Sequence, residues 1–323
     1  MIAFLKLIRL PNLLIIAFTQ YMIRLCLVEP ILNLSGLFIQ MSDMEFALLV
    51  LATVFIAAGG YVINDYFDVR IDNINKPDQL VIDHGVKRRV AMGAHAVLSF
   101  LGVAMGIFLA WKCNILMAGG TLFTVSVIGL WFYSTLFKYQ FLSGNIVISL
   151  FTGMVPFMVA LFEVPRIILT YNSKLVQQQH DFGSAVTDTL LLWAGAYGIT
   201  AFGLSLIREI IKDMEDVEGD KEYGCRTIPI VLGMKKAKAI VLSLILLFMT
   251  GIGCIQYIQL AAKDKYSFLY FLAFIQLPLL FVLVNVIAAN VKKNFHIASI
   301  LVKCIMLTGI CYLLMLKFVL LKE

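Results

Sequence analysis

Nine uninterrupted apolar runs constrain what this 323-residue chain can fold into more than any other feature. A helix that crosses a bilayer takes about 20 mainly apolar residues, and such runs lie near 10–28, 45–63, 90–111, 114–134, 143–162, 189–207, 239–258, 267–287 and 297–320. The strands of a membrane barrel would instead appear as segments of roughly ten residues with alternating polarity. Hydrophobic residues make up 61% of the chain and charged ones 14%, far from the balance of a soluble domain. The sequence therefore predicts an all-α, polytopic integral membrane protein, about nine transmembrane helices in a single domain over 1–323. No small-residue cleavage pattern follows the first apolar run, so that run is expected to be a helix opened by Pro11 rather than a removed signal peptide.

A net charge of +6 would suggest nucleic acid as a partner for a soluble protein. Here the basic residues sort by membrane side instead. With the N-terminus on side one and the connections alternating, seventeen lysines and arginines fall on side one, eight on side two, and Lys303 inside the ninth run. The bias places the N-terminus and the two long connections, 64–89 and 208–238, in the cytoplasm. No nucleic acid and no protein partner is implied. The six cysteines show no C-x-x-C spacing, so neither a disulfide framework nor a zinc site is expected.

Those two connections also hold twelve of the twenty carboxylates. The first contains Asp65, Asp68 and Asp72, and the second Asp213, Asp216 and Asp220; both read D-x-x-D-x-x-x-D. On a helix, positions i, i+3 and i+7 share a face, so each triplet would project its carboxylates from a helix end toward one place. Polar loops are ordinary, but like charges stacked this way repel and call for a cation. Magnesium fits, because it prefers oxygen, keeps several waters, and usually joins one or two carboxylates to substrate phosphates. The interleaved Lys76, Arg208, Lys212, Lys221 and Arg226 suit the remaining phosphate oxygens. A cation or phosphate transporter would more often carry its acids at mid-membrane on broken helices.

The stretch NDYFDVRIDNINKP (64–77) resembles the first signature of the UbiA superfamily of intramembrane prenyltransferases, and REIIKDMEDVEGDKEYGCRTIP (208–229) resembles the second. YSTLFKYQFLSGN (133–145) is similar to a shorter patch of that family. The resemblance covers essentially the whole chain. It implies nine helices around a central cavity capped by the two aspartate loops, and transfer of a prenyl group from an isoprenoid diphosphate to a lipophilic acceptor, with Mg2+ as cofactor and membrane lipid as surroundings. By motif position, Asn64, Asp68, Asp72, Asp213, Asp216 and Asp220 would be magnesium ligands or their close neighbours, with Asp65 a lesser candidate. Asp68, Asp72, Asp216, Asp220 and Lys138 would act in catalysis, and Lys76, Tyr133, Ser134, Asn145, Arg208, Lys212 and Lys221 in substrate binding. The family often has arginine two places after the proline of the first motif, where Gln79 stands here; Lys87, Arg88 or Arg89 would replace it.

The run KDMEDVEGDKEYG (212–224) most resembles the branch that transfers geranylgeranyl groups to geranylgeranylglyceryl phosphate in ether-lipid synthesis. The alternative is an aromatic acceptor such as 4-hydroxybenzoate or homogentisate. Loss of diphosphate from an allylic carbon leaves negative charge on the leaving group and positive charge on the prenyl fragment, so metal and basic residues must stabilise the first and a dry pocket must protect the second. Aromatic residues such as Tyr61, Trp131 and Tyr133 are candidates for its walls, although each is first a packing residue. His95 reads more simply as a satisfied buried imidazole. The least apolar stretch outside the motifs, 164–188, reads as an interfacial or mobile loop without assigned chemistry.

Overall fold

The computed structural model describes the backbone of residues 2–178 and 180–320, and their side chains apart from Gln79, 172–184 and 319–320. Among the described residues nine helices are long and apolar enough to cross a membrane. They are α1 (Leu10–Leu34), α2 (Asp43–Asn75), α3 (Arg88–Lys112), α4 (Leu116–Thr135), α5 (Ser143–Gln178), α6 (His180–Glu215), α7 (Met234–Ala261), α8 (Lys265–Ala288) and α9 (Lys292–Leu320). Short helices occupy Ile2–Leu7, Val217–Glu222 and Ile228–Leu232.

Local chemistry sets several of the helix starts. Pro11 lies in the first turn of α1, where its missing N–H costs nothing. Ser42 and Glu45 form a reciprocal capping box that opens α2: Glu45 N donates to Ser42 Oγ at 3.3 Å and Ser42 N to Glu45 Oε2 at 2.9 Å. Asp264 caps α8 by accepting from Ser267 N at 3.0 Å. The stretch expected to form a loop at 164–188 is helical wherever it is described, closing α5 and opening α6. Lysine and glutamine are good helix formers, and polarity alone does not end a helix.

The chain divides into two compact units, Met1–Thr135 with Gly153–Gly198, and Leu136–Thr152 with Ile199–Glu323. In the first, α2 and α3 pack closely through small residues. A Cβ on Gly102 would stand 2.6 Å from Ile56 Cγ1 and 3.0 Å from the Ala52 carbonyl oxygen, and one on Gly59 would stand 2.8 Å from Ser99 Oγ. His95 is buried beside this contact with its Nδ1 3.0 Å from the Gly59 carbonyl. A carbonyl only accepts, so Nδ1 carries the proton and the imidazole is satisfied, as expected from the sequence. Near the Asp43 end of α2, buried Glu45 takes Arg166 at 2.9 Å and Lys112 at 3.2 Å, while buried Arg24 donates to Asp43 at 2.9 Å. In the second unit α6, α7, α8 and α9 share an aliphatic core that includes Ile210, Val241, Leu279 and Val302.

Gly102→Val should lower the melting temperature in detergent, because overpacking a tight contact costs about 1–3 kcal/mol. On the same helix a Cβ at Gly93 meets nothing within 4 Å, so Gly93→Ala should leave it unchanged or raise it. Equal behaviour of the two variants in a thermal melt would show that the glycine contact does not hold α2 to α3.

Candidate active site

Helix length brings the first aspartate motif out of the hydrocarbon. At 1.5 Å per residue the 33 residues of α2 span about 50 Å, against roughly 30 Å of apolar bilayer core, so the last dozen residues extend beyond it. The sequence placed these residues in a connection. They instead continue the helix, with Asn64, Asp68, Asp72 and Asn75 following one another along one face. Asn64 Nδ2 donates to Asp68 Oδ2 at 2.7 Å. Asp68 is 2% exposed, and the buried Asn64 Oδ1 has no protein hydrogen-bond partner. The half-buried Asp72 ends the row; its carbonyl accepts from the N–H of Lys76, which closes the helix, at 2.7 Å. Asp65, on the same helix, pairs with Arg9 at 2.7 Å.

The second motif does not form one helical face. Asp213 stands on α6, which ends at Glu215; Asp216 sits at the break with φ −101° and ψ 12°, and Asp220 lies in the short helix that follows. The chain has to turn back here. Gly224 takes φ +71°, and Arg226 N donates to the Tyr139 carbonyl at 2.9 Å, which a continuous α6 would prevent. Asn145 Nδ2 donates to Asp213 Oδ2 at 2.8 Å, so an asparagine–aspartate pair occurs in each motif. Asp220 is buried, and Lys221 beside it is exposed.

Arg208 and Lys212 are brought together by an acid that the motif spacing does not single out. Buried Glu209 accepts from Arg208 Nη1 at 2.7 Å and from Lys212 Nζ at 3.2 Å, holding both cations on one turn of α6. The only sequence signal is the local spacing R-E-x-x-K, in which Glu209 and Lys212 are helix neighbours. Lys138 lies in the turn Phe137–Tyr139. Gly144 permits that turn, since a Cβ there would stand 3.0 Å from Lys138 Cα and from the Phe137 carbonyl oxygen. The Arg226–Tyr139 bond then ties the turn to the chain just after the second motif. On α4 Tyr133 is half-buried, and Ser134 donates its hydroxyl to the Leu130 carbonyl at 2.9 Å. Of the expected replacements for arginine at position 79, Arg88 is held by Asp83 at 2.9 Å and Lys87 precedes α3. The side chain of Gln79 lies outside the described residues.

Among the described residues no three His, Cys, Asp or Glu side chains come together as a metal-holding group. The Asn64–Asp68 pair nevertheless fits a hard divalent ion: a buried carboxylate and a buried amide oxygen without a protein partner are two oxygen donors, and magnesium commonly draws its other ligands from phosphate and water.

These features define a polytopic helical membrane protein with acid-and-amide clusters set among arginines and lysines at helix ends. The chain belongs to the UbiA prenyltransferase family, whose model matches residues 35–303. Its class of reaction is therefore prenyl transfer, and a carrier function is set aside. Digeranylgeranylglyceryl phosphate synthase of Thermococcus kodakarensis is 31% identical over 219 residues, spanning 66% of this chain and 67% of that protein. The fold is similar to a solved structure of digeranylgeranylglyceryl phosphate synthase in membranes, with a TM-score of 0.57 at 23% identity over 99% of this chain and 98% of the other. It is also similar to a UbiA homologue from Archaeoglobus fulgidus bound to DMAPP and Mg2+, with a TM-score of 0.51 at 16% identity over 98% and 99% of the two chains.

Asp68→Asn and Asp216→Asn each remove a charge while keeping the volume. Prenyl transfer should fall roughly 10² to 10⁴-fold, the size of a major electrostatic contribution, with the melting temperature little changed. Near-normal turnover in both variants would remove these residues from the site.

Proposed function

We propose that this protein transfers a geranylgeranyl group from geranylgeranyl diphosphate to the free hydroxyl of geranylgeranylglyceryl phosphate, with Mg2+ as cofactor. The observation that carries this reading is the pairing of asparagine with aspartate, Asn64 with Asp68 and Asn145 with Asp213, on stretches where Arg9 pairs with Asp65 and Lys212 with Glu209. Such a set offers oxygens to a cation and N–H groups to phosphate. The name of the Thermococcus relative supports the acceptor, and the ligands of the Archaeoglobus homologue support the diphosphate and the metal.

In this reaction the bond between the allylic carbon and the diphosphate oxygen breaks with its electron pair leaving on oxygen, the acceptor oxygen bonds to that carbon, and the hydroxyl proton passes to solution. Bound Mg2+ supplies positive charge where the leaving oxygens become negative. The chain's own residues do the rest. Asn64, Asp68 and Asp72 hold the metal in the first motif, and Asp213, Asp216 and Asp220 in the second. Asn64 and Asn145 fix the orientation of their aspartates by donating to one carboxylate oxygen. Glu209 keeps Arg208 and Lys212 extended side by side, so two cations meet the diphosphate without first losing the freedom of two long side chains. The excess of basic residues beside the motifs supports a cytoplasmic orientation for both.

Lys138 is the residue we assign to the acceptor's phosphate. It lies outside both acidic motifs, yet the Arg226–Tyr139 bond fixes its turn to the second. Given Mg2+ and geranylgeranyl diphosphate, the purified protein should prenylate geranylgeranylglyceryl phosphate, and Lys138→Met should raise the KM of that acceptor more than that of the donor. A lost charge-assisted contact is worth about 1.5–3 kcal/mol, or roughly 10 to 150-fold. Efficient prenylation of 4-hydroxybenzoate or homogentisate with the phosphate acceptor inert, read by mass spectrometry of the products, would establish the aromatic alternative instead.

A further inference from the structure

Arg9 is 56 residues from the first motif in sequence and in contact with it in space. Helix Ile2–Leu7 is anchored by Leu7, fully buried in a cluster with Val62, Ile82 and Ala91, and its Ala3 lies where a Cβ on Gly85 would approach to 2.7 Å. Between this anchored helix and α1 the backbone turns at Arg9 itself, with φ 52° and ψ 52°. That left-handed conformation is unfavourable for a residue with a Cβ and usually falls to glycine or asparagine. Strain kept at a charged residue beside a polar site points to a role for the side chain rather than for the turn.

The side chain is aimed at α2. Its Nη2 donates to Asp65 Oδ1 at 2.7 Å, and its guanidinium lies 5.1 Å from the centroid of the Tyr61 ring. Desolvation opposes the charge, but Asp65, Tyr61 and, more weakly, Asp68 outweigh it and hold the guanidinium above its ordinary range. Only one of its five N–H groups is used by a protein acceptor among the described residues, and the side chain is 38% exposed. A guanidinium so placed has a planar fork still open to a second oxyanion.

We propose that Arg9 is a binding residue for the donor's diphosphate, held ready by Asp65 and turned by it toward the first motif. This rests on the function proposed above. Asp65 positions the guanidinium, Tyr61 supports its face, and the unused N–H groups receive phosphate oxygens. Arg9 would then supply from the N-terminal segment the arginine that is missing at position 79.

Calorimetric titration of inorganic diphosphate in the presence of Mg2+ separates this role from charge balance. Arg9→Gln should weaken diphosphate binding at least tenfold and raise the donor KM correspondingly, with the acceptor KM changed less than twofold; Arg9→Lys should recover part of the loss. Asp65→Asn, which loosens the hold on the guanidinium, should weaken diphosphate binding less than Arg9→Gln does, and the double variant should bind as weakly as Arg9→Gln. Restoration of affinity in the double variant would mean that Arg9 only neutralises Asp65 and would overturn the proposal. So would unaltered diphosphate affinity in Arg9→Gln, or an equal rise in both KM values. If the unaltered protein itself binds no diphosphate, the proposed function fails before Arg9 is at issue.

Discussion

Negative charge gathered at the ends of membrane helices is the constraint on which the rest of this structure depends. Twelve of the twenty carboxylates lie in two short stretches, and Asp68, Glu209, Glu215 and Asp220 within them are buried. A buried carboxylate is tolerated only when hydrogen-bonded or paired. Each stretch meets that demand with its own partners: Asn64 and Arg9 in the first, and Asn145, Arg208, Lys212 and His296 in the second, where His296 lies 2.9 Å from Glu215. Apart from the His296 imidazole, the partners are amides, guanidinium and ammonium groups, which orient carboxylates and receive phosphates.

This pairing explains the shape of the helices that carry it. α2 runs on past the apolar core because a helical row of Asn64, Asp68 and Asp72 lets an amide reach the next carboxylate one turn along. α6 stops at Glu215 because the second stretch has to return toward Tyr139, and the stop leaves Asp216 and Asp220 on different elements. The two motifs share a spelling and differ in geometry.

The nine helices were legible in the sequence because a bilayer demands about twenty apolar residues per crossing and nothing else in the chain imitates such a run. Their ends were not. α2 passes Ile63 by twelve residues and α5 continues through polar residues to Gln178, since hydropathy reports where lipid ends and not where hydrogen bonding ends. The break at Asp216 carries no proline or glycine of its own, and the turn at Gly224 and the Arg226–Tyr139 bond follow only farther along. The residue types of the site were visible from the motif spacing, whereas Arg9 with Asp65 and His296 with Glu215 join positions 56 and 81 residues apart and exist only in the fold. Glu209 was visible as an acid but not as the clasp between two cations.

The proposed function turns on oxygen donors at the helix ends holding the donor's diphosphate through a divalent cation. Binding of geranylgeranyl thiolodiphosphate, an analogue that resists ionisation, measures this without any acceptor. Affinity should rise by more than tenfold as Mg2+ is titrated in from a chelated start, and in Asp68→Asn that rise should be largely lost. Equal affinity with and without Mg2+, or a full magnesium response in the variant, would contradict it.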